Sequence, residues 1–137
     1  SVAKSAASQA QLPSNALAAL VRIREGLGLV GVTGTAKGVS ERLKQVLPGG
    51  TRVLMKTGTL NEDTDRFKAL AVVAGRPGGS GSGDALTCGL AVIAYFEFSP
   101  KASRGPAGPL PPVHLDFANN YLAPVLARNW ARVSGCR

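Results

Sequence analysis

Residues 52–98 read RVLMKTGTLNEDTDRFKALAVVAGRPGGSGSGDALTCGLAVIAYFEF. Three runs within them are rich in β-branched, aromatic and other apolar residues: Arg52–Thr59 (RVLMKTGT), Phe67–Ala74 (FKALAVVA) and Leu86–Phe98 (LTCGLAVIAYFEF). Such runs, bounded by polar and turn-forming residues, predict strands, and three in succession predict an antiparallel meander. The connection Gly75–Asp84 (GRPGGSGSGD) is too rich in glycine to pack, and reads as an exposed loop whose length tolerates change.

Outside this stretch the apolar period becomes helical. Upstream, residues 1–13 are small and polar and read as a loop. Ser14 or Asn15 then caps a predicted helix over Ala16–Leu27, with Leu17, Leu20, Val21 and Leu27 near one face and Gly26 and Gly28 weakening its end. Val30–Thr33 reads as a turn or short strand. Val39, Leu43, Val46 and Leu47 recur at helical spacing until Pro48-Gly49-Gly50 stops that second helix. Downstream, Ser99–Pro112 holds five prolines and reads as an irregular surface connection. From Val113 to Val133 a stripe of Leu115, Ala118, Leu122, Leu126 and Trp130 predicts helix, which Pro124 either kinks or restarts. The expected fold class is α+β, a small antiparallel sheet with helices packed on it, in a single domain spanning 1–137.

With 137 residues, of which 45% are apolar, the chain can bury one modest core. Sixteen basic against eight acidic residues give a formal charge of +8, which makes phosphate contacts to nucleic acid physically reasonable. Against that partner, the basic residues are scattered. Phe67, Tyr95, Phe96, Phe98, Phe117, Tyr121 and Trp130 fall mostly in expected core elements, which leaves no stacking platform. No segment approaches the roughly 18–20 uninterrupted apolar residues of a membrane helix. The N-terminal SVAKSAASQAQ lacks the pattern of a targeting signal and reads as a processed or truncated start. Cys88, Cys136 and His114 have no zinc-ligand spacing, so no metal is expected. Cys88 is most simply a small buried side chain, with a disulfide to Cys136 as the alternative, and His114 is expected at the surface or as a helix cap.

The chemistry concentrates in Val53–Leu60 (VLMKTGTL), where Lys56-Thr57-Gly58 closes an apolar strand and Thr59 follows at once. A lysine at a strand end offers a compact positive charge to a substrate carboxylate and can bias proton transfer at a neighbouring serine. Thr57 adds a hydroxyl. Gly58 lacks a side chain, so a peptide can lie against the backbone and pair with the strand edge. The residues alone also admit a plainer reading, with Lys56 a solvated edge charge and Gly58 a bulge or turn residue.

In this segment the chain resembles the penicillin-binding, serine D,D-transpeptidase and β-lactamase superfamily, whose third signature is KTG on the strand bordering the active site. The stretch VTGTAKGVSERL before the motif strand, and the two strands and terminal helix after it, are also similar. The resemblance covers about residues 14–133, matching only the C-terminal half of such a domain. It implies action on D-Ala-D-Ala peptidoglycan stem peptides, or on β-lactams, through a serine acyl-enzyme in the bacterial periplasm or cell envelope. It implies Lys56 as a catalytic group, Thr57, Gly58 and Thr59 as substrate-binding residues, and the backbone N–H of Thr59 as half of an oxyanion hole. No cofactor is implied.

A family nucleophile needs a lysine one helical turn after its serine. Ser1-Val2-Ala3-Lys4 has that spacing but lies 55 positions before Lys56, far closer than in the family, and no following apolar helix carries it. The second family motif, Ser-x-Asn, has no convincing match, since Ser14-Asn15 lacks the intervening residue. Catalysis by this chain therefore requires Ser1 and Lys4, a missing N-terminal half, or a second chain. Two rivals stand beside this reading: a non-catalytic scaffold or interaction module on the same fold, and a basic nucleic-acid-binding domain.

Overall fold

The computed structural model describes residues 14–62, 65–79, 86–99 and 108–136. Strands β1 (Arg52–Asn61), β2 (Arg66–Pro77) and β3 (Leu86–Glu97) form one antiparallel sheet in the order β1-β2-β3. Helices α1 (Ser14–Val30) and α2 (Lys37–Val46) precede it. A helical run follows, made of α3 (Val113–Phe117), a π turn (Ala118–Leu122) and α4 (Ala123–Ser134). The chain is thus a small α+β fold with a three-stranded antiparallel sheet.

Strand alternation decides which side of the sheet is covered. Met55 stands opposite Val72 and Val72 opposite Val92, while Val53, Ala74 and Leu90 form the neighbouring row. These side chains meet Val39 and Leu43 of α2 and Ala118, Leu122, Leu126 and Trp130 of the terminal helical run, in one hydrophobic cluster. On the opposite face of β3, Ile93 is 82% and Tyr95 58% exposed. Tyr121 is exposed as well, so these two tyrosines stand outside the core in which the sequence placed most aromatic residues. Tyr95 instead packs against Phe67, with ring centroids 4.8 Å apart.

Two boundaries depart from the sequence reading. First, α1 runs through Gly26 and Gly28 to Val30, because packing against the start of β1 offsets the cost of glycine in a helix, about 1 kcal/mol per residue. The reversal comes at Gly31, where an added Cβ would stand 2.8 Å from Ser40 Oγ of α2. Second, Gly75-Arg76-Pro77 belongs to β2 rather than to a loop. Gly75 lies opposite Gly89, and each backbone sits where the other's side chain would be, so two glycines are what this stretch of the pairing requires. The ladder becomes irregular only at Arg76/Pro77. Of the two outcomes expected at Pro124, the helix restarts: the proline falls in the first turn of α4, directly after the π turn. The missing proline N–H and its clash with the preceding turn are absorbed by that wider turn.

Cys88 and Cys136 form a disulfide, so Cys88 is not a buried thiol. At the end of α4, Gly135 takes the left-handed conformation (φ 67°) and turns the chain toward β3. Ser134 Oγ donates to the Trp130 carbonyl (2.7 Å) and accepts from the Cys136 N–H (3.0 Å), which fixes the direction of that turn. The bond joins residues 48 positions apart. For a loop of that length, the chain-entropy account assigns about 4 kcal/mol. Replacing both cysteines (Cys88→Ala with Cys136→Ala) is expected to lower the unfolding free energy by about 2–4 kcal/mol in urea titrations. A loss under about 0.5 kcal/mol would show that the helix end stays docked without the bond.

Candidate functional site

Among the described residues β1 pairs with β2 alone, which leaves its other backbone edge open. The register from Arg52 opposite Gly75 to Asn61 opposite Arg66 is continuous, so Lys56-Thr57-Gly58-Thr59 lies on a straight, unbulged strand. Lys56 is exposed and its ammonium donates to the Thr57 carbonyl. Gly58 is neither a bulge nor a turn residue, and its φ is not positive. An added Cβ there would stand 3.6 Å from Ala69 Cβ, an ordinary contact. Nothing in the described fold therefore demands glycine at position 58.

Two residues outside the motif meet its hydroxyls. Thr35 lies in the turn between α1 and α2, and its Oγ1 is 3.1 Å from Thr57 Oγ1. That turn is tight, because an added Cβ on Gly34 would stand 2.8 Å from the Val30 carbonyl oxygen, and Ala36 is fully buried. From β2, Lys68 Nζ donates to Thr59 Oγ1 at 2.9 Å. Lys68 pairs across from Thr59 while Lys56 pairs across from Ala71, so alternation sends the two lysines to opposite faces of the sheet. The open edge is thus flanked by positive charge on both sides. The facing ends of β1 and β2 are themselves tied down, with Arg66 Nε donating to Asn61 Oδ1 (3.0 Å) and Asn61 Nδ2 to the Gly108 carbonyl (3.1 Å).

Sequence reasoning gave Lys68 no role, and it took Gly34-Thr35-Ala36, within VTGTAKGVSERL, only as support for the family resemblance, with no site role for Thr35. The pairing of Thr59 with Lys68 follows once Asn61 and Arg66 are known to close the hairpin, whereas no spacing rule connects Thr35 with Thr57. Ser1 and Lys4 lie outside the described residues. The disulfide removes both cysteine sulfurs from metal ligation, and no group of three or more metal-ligating side chains occurs among the described residues. A separate open cleft of about 750 Å³ lies at the start of β1, between Leu29 and Val32 on one side and Arg52 and Leu54 on the other, and includes none of Lys56–Thr59.

His114 is not at the surface. It stands four residues before Ala118 on the buried side of the helical run, is only 4% exposed, and its Nδ1 has no hydrogen-bond partner. Burial lowers its pKa below the ordinary 6.5, the Lys68 ammonium lowers it further, and Asp116 opposes both. Searches against protein families, curated proteins and solved structures return no match to this chain.

Folding thus weakens proton binding at His114. As pH falls through 6.5 the unfolded chain takes up the proton first, and stability declines until the lowered folded pKa is passed. Thermal midpoints measured between about pH 7.5 and about pH 5 should drop with acidification, and His114→Gln should flatten that part of the profile. An unchanged slope in the variant would assign the acid sensitivity to other groups.

Proposed function

We propose that the open edge of β1 is the substrate-binding strand of a penicillin-binding acyl-transfer domain, acting on D-Ala-D-Ala-terminated stem peptides as a D,D-transpeptidase or D,D-carboxypeptidase. The observation that carries this reading is the setting of Lys56–Thr59. The motif lies on an unbulged strand whose outer edge no strand among the described residues pairs, and it contains a glycine whose missing side chain the described fold does not require. A glycine there suits a molecule that lies against the backbone and adds to the sheet as a strand.

In this reading the Thr57 and Thr59 hydroxyls hold the terminal carboxylate of the peptide, and the Lys56 ammonium, carried on the opposite face, reaches it round the open edge. The Thr59 N–H stabilises negative charge on the carbonyl oxygen of the penultimate D-Ala as a serine hydroxyl adds to its carbon. The serine proton passes to a base and on to the leaving amine. Cleavage of the C–N bond then releases D-Ala and leaves an ester on the serine. The ester is resolved by water or by an amine. Ser1 with Lys4 is one source of that serine, and a further N-terminal half or a second chain is the other. A β-lactam would occupy the same edge through its own carboxylate.

Titration of the ¹⁵N-labelled chain with Nα,Nε-diacetyl-L-Lys-D-Ala-D-Ala tests this. The amide resonances of residues 56–60 are expected to shift, the L-Ala-L-Ala isomer to bind more weakly, and Lys56→Ala to weaken binding about tenfold or more through loss of a charge-assisted contact. A response of these amides that is flat, or indifferent to stereochemistry, would sink the proposal.

A further inference from the structure

Thr57 and Thr59 stand two residues apart on β1, so their side chains project from the same face of the sheet. Each hydroxyl is met by a group that is not part of the Lys56–Thr59 segment, and the two contacts differ in kind. An ammonium can only donate, so Lys68 occupies a lone pair of Thr59 Oγ1 and leaves the Thr59 proton to be given elsewhere. Between Thr35 and Thr57 either hydroxyl can be the donor. A carboxylate on the open edge removes that freedom. It accepts and cannot donate, so Thr57 must turn its proton outward and Thr35 must donate into the Thr57 oxygen.

We infer that Thr35 and Lys68 are positioning residues that set the donor direction of Thr57 and Thr59, making the edge selective for a chain-terminal carboxylate over a carboxamide. The inference rests on the peptide-binding reading of this edge given above. A hydroxyl that accepts one hydrogen bond is polarised and donates a stronger one, which favours a charged acceptor most. A carboxamide has no charge and presents donor N–H groups beside its oxygen, for which a pair of outward donors is poorly matched. Thr35 can act in this way because the turn that carries it is closely packed. Gly34 has no room for a side chain against Val30, and Ala36 is buried. Lys68 is held by β2, the central strand, directly across from the residue it serves.

The test uses the whole chain and two probes, Nα,Nε-diacetyl-L-Lys-D-Ala-D-Ala and the same peptide ending in a carboxamide, with dissociation constants read from the amide shifts of residues 56–60. Thr35 is exposed and Lys68 half-buried, so Thr35→Val and Lys68→Met should leave the rest of the spectrum in place. Each is expected to cut the preference for the acid over the amide about three- to tenfold by weakening the acid alone. Thr35→Ser, which restores the hydroxyl, is expected to restore the preference. Variants that bind both probes as the unmodified chain does would overturn the inference and leave the proposed function standing. Equal weakening toward both probes would also overturn it, because that marks a structural role. If the unmodified chain binds neither probe, the peptide-binding reading falls and the inference falls with it.

Discussion

Leu70, Val72 and Ala74 share one face of β2, the only strand that the described residues pair on both edges, and removing those three side chains from water constrains the rest of the molecule. Covering them takes α2 from one end of the chain and the run from Ala118 to Trp130 from the other. The pairing extends this burial sideways, since every residue opposite Leu70, Val72 or Ala74 on β1 and β3 faces the same helices. Area removed from water is the driving term, at about 25 cal/mol per Å² of apolar surface. Backbone pairing determines whose area it is.

That constraint also sorts the residues of the edge strand between the two faces. With Val53 and Met55 turned toward the helices, alternation puts Thr57 and Thr59 on that same face and Lys56 and Gly58 on the other, and the register places a lysine above and another below the sheet. Neither lysine is buried, so neither carries the desolvation cost of a charge in the core. Each donates to an oxygen of the motif, Lys56 to the Thr57 carbonyl and Lys68 to the Thr59 hydroxyl. The hydroxyls are oriented from three separate parts of the chain: the turn between α1 and α2, the motif strand, and β2. An arrangement of this kind depends on tertiary packing, and a peptide spanning only residues 52–61 would not reproduce it.

The strands are legible in the sequence because runs such as AVVA and LAVIAYF leave few other options, and the helical stripe from Leu115 to Trp130 is equally plain. What is not legible depends on partners. Gly75-Arg76-Pro77 looks like loop until Gly89 is seen across from Gly75. Gly26 and Gly28 look like a helix end until β1 supplies the packing that carries α1 to Val30. His114 was within reach, since it stands one helical turn before the buried Ala118, but a lone histidine beside prolines suggests a surface. The motif itself is a local signal. The hydroxyl of Thr35, 22 positions before Thr57, is a three-dimensional one.

The disulfide also changes how the chain would answer to force. It joins the start of β3 to the end of α4, across 48 positions, and its Cα atoms are 5.2 Å apart. Tension applied between the two ends of the oxidised chain bypasses everything between Cys88 and Cys136. At about 3.5 Å of reach per residue, roughly 170 Å of contour is withheld from extension. Load therefore falls first on α1, α2 and the β1–β2 pairing, and the edge carrying Lys56 comes apart while β3 and α4 stay tied together. Reduction would return the withheld length, so the mechanical length of the chain would report its redox state.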